Sequence, residues 1–300
     1  MAQQSSSVRL RQIALVTNDL KRARQEITDI LGAPVIYEDP TVRQWGLENF
    51  LVPLGGDIIE VVAPTRSGTT AGRLLDKRGE GGYMIIMQTE DADARSKDIV
   101  TSGRSKVIFQ HPFSYSYPSW NGAKDEGFCI QYHPKGIAGG MMPELDSHKA
   151  CERNPRPLTT RFSPWHPCGP DYDRYLGVMK STAHLHLRGC LLNLDAGGKV
   201  NANAALQQWS ETYDIPVRDT HLVFTNAQMS FARGHEGRSE GLLFITIRVD
   251  TRSQMQGILD RARAAGKTVH TDGDWFEMVG VRWNFWTDEG RSRSGPAARL

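Results

Sequence analysis

The chain has 300 residues, 39% hydrophobic and 23% charged, the composition of a folded globular protein large enough for two lobes rather than of a disordered chain. Its 36 basic and 34 acidic residues leave a net charge of +2 with only short basic runs, so the charge pattern does not point to nucleic acid. No apolar stretch approaches the roughly 18 to 20 residues of a membrane helix, and the polar head 1–7 is unlike a signal peptide, so a cytoplasmic protein without a membrane partner is expected.

In chain order, residues 12–17 alternate as a strand, with Gln12, Ala14 and Val16 on one face. Asp19 then caps a helix whose Leu20, Ala23, Ile27, Ile30 and Leu31 fall on one stripe, and Gly32 ends it. Short strands are predicted at 35–37 and 49–54, separated by a turn at Asp39-Pro40. After Gly55-Gly56 comes the strand 57–63, where Ile58, Glu60 and Val62 share a face. A carboxylate among aliphatics is expensive to bury unless a cation, a proton or several donors meet it.

The order then begins again. Strand 83–88 leads to a helix from Asp91 to about residue 101, closed by Gly103, and to strands at 106–110, 128–133 and 141–146. Placing Asp91 on Asp19 is an offset of 72 residues, which sets Met84 opposite Gln12. Gly139-Gly140 likewise precedes an apolar strand with one glutamate in its middle, Glu144, so the chain carries an internal repeat. The copies differ at the Asp39-Pro40 turn, which becomes the long segment 111–126 bearing Phe113, Tyr115, Tyr117 and Trp120. Four aromatic side chains are costly to leave in water; the functional reading is a lid over a pocket that stacks on a hydrophobic or aromatic substrate, and the plain one is an exposed loop.

Residues 149–183 contain five prolines and few apolar runs, and read as a linker without regular structure in which Trp165 and His166 could form a second wall of the pocket. Residues 184–288 hold two further, more worn units: strands at 185–194, 221–225, 229–232, 242–249 and 281–286, one helix with Leu206, Trp209 and Tyr213, and another with Met255, Ile258, Leu259 and Ala262. The tail 291–300 looks unanchored. Cysteines 129, 151, 168 and 190 lie 22, 17 and 22 residues apart, with no C-x-x-C pair and no zinc-ribbon spacing, and are read as reduced thiols. There is no G-x-S-x-G, P-loop or G-x-G-x-x-G motif.

The phrases "RQIALVTNDL", "GLENFLVPLGGDIIEVVAPT", "GGYMIIMQTED" and "YHPKGIAGG" resemble the vicinal oxygen chelate superfamily, which includes glyoxalases, fosfomycin-resistance enzymes and extradiol dioxygenases, and most closely its glyoxalase-like proteins. The resemblance is good over residues 8–148 and weaker over 184–288. It implies an α+β fold of paired βαβββ modules, four in all with the C-terminal two degenerate: a module pair at 8–148 with the better-preserved pocket, the linker 149–183, and a scaffold pair at 184–288. In the superfamily two modules form a cupped sheet, and metal ligands come from the first and last strand of each. Carried onto this chain, those positions are Gln12, Glu60, Met84 and Glu144. A thioether is a poor ligand for hard or borderline ions, so the implied set is Gln12, Glu60 and Glu144, binding a divalent metal (zinc, nickel, manganese, iron or magnesium) or, with Met84 in a ligand position, none. His133, if it points into the cup, joins Glu60 and Glu144 as a catalytic candidate. Met84, Phe113, Tyr115, Tyr117 and Trp120 are the substrate-binding candidates.

The implied function is a lyase- or isomerase-type enzyme acting on a small or medium oxygenated molecule by metal- or carboxylate-assisted proton transfer. A non-catalytic small-molecule binding protein of the same fold is the alternative. A ring-cleaving dioxygenase is disfavoured because Gln12 and Met84 stand where histidines are wanted. Pairing of the modules within the chain or across a homodimer stays open.

Overall fold

A computed structural model describes residues 7–289 except 235, 236, 271 and 273. The outermost head residues 1–6 and the tail 291–300, expected to be unanchored, lie outside the described residues.

The alternating segments of the N-terminal half form one seven-stranded sheet in the order β2-β3-β1-β4-β7-β6-β5. Its first module is β1 (Val8–Val16), α1 (Leu20–Leu31), β2 (Leu47–Leu54) and β3 (Asp57–Pro64). Asp19 caps α1 by accepting from the Arg22 N–H, and Gly32 ends it in the left-handed conformation, φ 67°. The strand predicted at 35–37 shrinks to a single bridge, Tyr37 with Leu51. After α2 (Thr70–Arg78), the second module is β4 (Gly81–Thr89), α3 (Ala92–Thr101), β5 (Val107–Ser116), β6 (Lys124–Tyr132) and β7 (Met142–His148). The first strand of each module pairs parallel with its last, β1 with β3 and β4 with β7, and β1 and β4 join the modules antiparallel.

The C-terminal half repeats this plan with shorter strands. Its sheet runs β13-β14-β12-β8-β11-β10-β9. The third module is β8 (Leu185–Asn193), α5 (Ala202–Tyr213), β9 (Val217–Arg218), β10 (His221–Val223) and β11 (Gln228–Ala232). The fourth is β12 (Gly241–Val249), α6 (Arg252–Ala264), β13 (Trp275–Met278) and β14 (Val281–Trp286). Again β8 lies parallel to β11 and β12 to β14. Across the halves α1 packs on α6 and α3 on α5, and one apolar core runs from Ile13 and Leu15 through Ile27 and Ile258 to Trp209 and Trp283. No helix among the described residues is long and apolar enough to cross a membrane.

Residues 149–183 are not an unstructured linker. They contain α4 (Tyr172–Ser181) and a short 3-10 turn at His166–Cys168, and they cover the face of the first sheet that α1 and α3 leave free. Trp165, Cys168, Tyr175 and Met179 form one buried cluster with Ala14, Ile58, Ile86 and Met142 of that face. The prolines mark a strap whose backbone polar groups are satisfied by sheet side chains instead of by a ladder. A β-bulge between Leu10 and Gln12 makes Arg11 the extra residue of β1, so that Arg9, Arg11 and Gln12 all reach the strap. Arg9 donates to the carbonyls of Thr160 at 3.0 Å and Arg161 at 3.1 Å, and Arg11 to that of Ser163 at 2.7 Å. The Gly55-Gly56 pair has a matching role. Gly55 turns at φ 64°, and a Cβ on Gly56 would lie 1.7 Å from the Arg161 carbonyl oxygen.

The segment 111–126 also differs from the expected loop. β5 and β6 extend through it as a hairpin, with Phe113 opposite Gly127 and Tyr115 opposite Asp125. Its aromatic side chains pack on the strap: Phe113 stacks on His166 at 4.4 Å, and Tyr117 lies 4.9 Å from Trp120 and 5.3 Å from Tyr172.

Trp165 is fully buried and joins strap to sheet. Trp165→Ala is therefore expected to lower the unfolding free energy by about 3–5 kcal/mol, measured by urea denaturation of variant and parent.

Candidate functional site

The repeat places its two glutamates at equivalent points. On β1 and β3, Gln12 pairs with Ile58 and Ala14 with Glu60; on β4 and β7, Met84 pairs with Met142 and Ile86 with Glu144. Gln12 and Met84 are thus counterparts, as are Glu60 and Glu144, and all four are buried on the strap side of the sheet. Their surroundings differ.

Around Glu60 the donors are neutral amides. Gln12 Nε2 donates to one carboxylate oxygen at 2.9 Å and Asn49 Nδ2 to the other at 2.7 Å. Asn49 is held by its own Oδ1, which accepts from the Asp39 N–H at 2.8 Å, and Gln12 Oε1 accepts from Trp165 Nε1 at 2.7 Å. Burial pushes the Glu60 carboxyl up to about 7 against the pull of the Asn49 hydrogen bond, and the charge of Glu144 adds to the rise.

Around Glu144 the neighbours are acids and an imidazole. One donor atom from each of Cys129, Glu144, Asp146 and His166 lies within 4.8 Å of the other three. Cys129 is the direct register partner of Asp146 across β6 and β7, and Glu144 and Asp146 share a face because strand side chains alternate. The strap delivers His166, whose Nε2 lies 2.8 Å from Asp146 Oδ2. Burial, then the charge of Asp146, pushes Glu144 up to about 8, while burial raises Asp146 well above its ordinary value and lowers His166 to about 4. Asp146 Oδ1 has no hydrogen-bond partner, and neither amide atom of Gln88, the register partner of Asp146 on β4, has one. Alongside, His148 Nδ1 meets both oxygens of Asp125 at 2.9 and 3.0 Å, and Tyr117 donates to Asp125 at 2.7 Å.

The positions implied as metal ligands do not suit a divalent ion. Gln12 turns its oxygen, the only ligating atom of an amide, to Trp165; both Glu60 oxygens are taken by amide donors; Met84 offers a thioether. Glu144 alone of the four joins a donor cluster. His133 is not in the cup. It lies past the end of β6, exposed, with Nδ1 accepting from the Lys135 N–H at 2.9 Å.

With the strap in place, a sizeable cavity lies elsewhere than the cup. A space of about 610 Å³ opens between α2, the loop 133–140 and residues 194–200 of the C-terminal half, and Met142, Tyr83 and His133 line it. None of Phe113, Tyr115, Tyr117 and Trp120 borders it, and its cations Arg73, Lys77, Arg78 and Lys135 outnumber Asp195 and Glu240. Simple alternation puts Tyr83 on the face opposite Met84. A second bulge, where Ala14 and Leu15 pair with Met84 and Gly82, makes Tyr83 an extra residue and brings it to the same buried cluster as Met84. Tyr83 thereby joins cavity to cup: burial, then the charges of Glu60 and Glu144, push its hydroxyl up to about 12. Sequence reasoning missed Cys129, Asp146 and Tyr83, and treated His166 only as part of a wall. Tyr83 is placed by a bulge, His166 by the strap, and Cys129 beside Asp146 by cross-strand register, none of which leaves a periodic signal.

Residues 13–116 match the family model described as a glyoxalase-like domain. No curated protein matches the chain. Among solved structures, a hypothetical protein from Staphylococcus aureus matches 93% of this chain and 99% of its own, at 12% identity and a TM-score of 0.58. The methylmalonyl-CoA epimerase of Mycobacterium tuberculosis matches 51% of this chain and 95% of its own, at 22% identity and a TM-score of 0.39. A variant of the Streptomyces coelicolor methylmalonyl-CoA epimerase in complex with 2-nitronate-propionyl-CoA matches 49% of this chain and 100% of its own, at 23% identity and a TM-score of 0.38. Residues 13–116 thus carry a glyoxalase-like domain, and the fold of the whole chain is that of paired βαβββ-type modules.

Proposed function

We propose that the protein is an enzyme of isomerase or lyase type that moves a proton on a small or medium oxygenated molecule, with Glu60 as the group that takes and returns it. The observation that carries this reading is a buried carboxylate bound only by two neutral amides, Asn49 and Gln12, with no cation to fix its charge. Such a group can exchange a proton near neutral pH without breaking an ion pair. Glu144 is less suited, being crowded by Asp146, Cys129 and His166. Substrate enters from the cavity past Tyr83, and the surplus of cations there favours one that carries a negative charge. Asn49 and Gln12 orient the carboxylate, and the strap excludes water. No step is routed through a metal at the superfamily positions, because Gln12, Glu60 and Met84 do not suit one.

A second reading, a non-catalytic binding protein, is favoured by the filling of the cup by Trp165, Tyr175 and Met179. Exchange of substrate protons in D2O, followed by NMR over a panel of anionic carbonyl compounds, separates the two. The enzyme is expected to exchange a carbon-bound proton at a rate that rises with pH through about 7, as Glu60 loses its own proton. Glu60→Gln is expected to slow that exchange at least about 100-fold with ligand affinity little changed. Binding without exchange in the parent protein leaves the binding reading.

Stability carries the same signature. Glu60 holds its proton up to about 7 when folded, against 4.5 for the ordinary group, so the folded state binds the extra proton between those values and loses stability as pH rises through them. Glu60→Gln is expected to gain on the parent between pH 5 and pH 8, by up to about 3 kcal/mol, in paired urea denaturations.

A further inference from the structure

We propose that Cys129, Glu144, Asp146 and His166 form a closed site for one divalent ion of the zinc class, which clamps the strap to strands β6 and β7. The four donors come from three separate stretches of chain, yet one ligating atom of each lies within 4.8 Å of the others. Thiolate, imidazole and carboxylate together are a zinc-type donor set; magnesium and calcium prefer oxygen alone. Tetrahedral zinc bonds of about 2.0–2.3 Å set neighbouring donors roughly 3.3–3.8 Å apart, so an ion draws the most widely spaced donors together by about 1 Å and parts His166 Nε2 from Asp146 Oδ2, now hydrogen-bonded at 2.8 Å.

The surroundings call for a cation. Glu144 and Asp146 are both buried, and no lysine or arginine among the described residues pairs with either; the one ion-pair contact of Asp146 is His166. Two carboxyl groups and a thiol in so small a buried space are costly to ionise together, and Asp146 Oδ1 has no hydrogen-bond partner although it is fully enclosed. A divalent ion would meet that oxygen and neutralise the carboxylates. His166 is already positioned: its ring stacks on Phe113 at 4.4 Å, and the preceding Trp165 is tied to Gln12 at 2.7 Å. Only Glu144 belongs to the positions at which the superfamily binds its metal, so this is a different site. With all four ligands supplied by the protein, it is closed in the manner of structural zinc sites and needs no role in proton transfer by Glu60.

The test uses the whole chain, unfolded with a chelator and refolded with and without zinc. After desalting, elemental analysis is expected to find about one zinc ion per chain, and zinc is expected to raise the thermal midpoint. Cys129→Ser and His166→Gln, each checked for folding by circular dichroism, are expected to weaken binding at least about 100-fold, since loss of even a group supporting a ligand costs about 10- to 100-fold. Cobalt in place of zinc is expected to give a thiolate charge-transfer band in the near ultraviolet that disappears in Cys129→Ser and persists in Glu60→Gln. A refolded parent protein that takes up no ion overturns the proposal. So does uptake that survives loss of Cys129 and His166 with parental affinity, or is lost in Glu60→Gln, which would return the ion to the superfamily positions.

Discussion

The structure depends on the need to satisfy polar side chains on a buried sheet face. Arg9, Arg11, Gln12, Glu60, Gln88, Glu144 and Asp146 are all buried on or beside the first sheet, and apolar atoms alone cannot cover them without a large desolvation cost. The strap answers by presenting backbone carbonyls and the indole N–H as well as apolar mass. Carbonyls of Thr160, Arg161 and Ser163 meet the two arginines, and Trp165 meets Gln12. Arg11 shows how far this goes. Fully buried, with Ser163 as its hydrogen-bond partner and the face of Trp165 5.1 Å from its guanidinium carbon, it is lowered to about 9 by burial and by the charge of Arg9.

The same face surrounds two equivalent glutamates with different partners. Glu60 and Glu144 occupy matching register positions, so the backbone treats them alike. What separates them is the residue type next door. Asn49 and Gln12 are donors and pull the carboxyl of Glu60 down, while Asp146 is an acid and pushes Glu144 up. Burial nevertheless raises both carboxyls, to about 7 and about 8, so the two sites differ in their partners and not in the direction of the shift.

The strap is held from both sides. The β5–β6 hairpin supplies Phe113, Tyr117 and Trp120 against His166 and Tyr172, and Arg161 donates to the carbonyl of Leu185 in the C-terminal half at 3.0 Å and to that of Ala183 at the strap's own end at 2.7 Å. Aromatic residues in an apparently loop-like stretch therefore cover chain instead of solvent, as their burial cost requires. The accessible space is displaced to the boundary between halves, where Tyr83 and Met142 of the cup meet residues from both.

What the sequence alone determined is what repeats or follows a fixed period. The strand alternation, the Asp19 cap, the Gly32 stop and the 72-residue offset led to a repeated strand–helix–strand unit, and the superfamily resemblance implied the pairing of these units. Gln12, Glu60, Met84 and Glu144 were legible as equivalent positions because strand alternation and the repeat offset are local patterns, and the register keeps them. Only the tertiary structure decided which of them meet which partners. Asn49 reaches Glu60 across β2 and β3, Cys129 reaches Asp146 across β6 and β7, and His166 arrives from a proline-rich stretch without periodicity. Two β-bulges moved Arg11 and Tyr83 against simple alternation, since one extra residue shifts every side chain on one side of it to the other face. Such contacts join residues up to about 150 positions apart. They arise from packing and desolvation, which a local pattern does not encode.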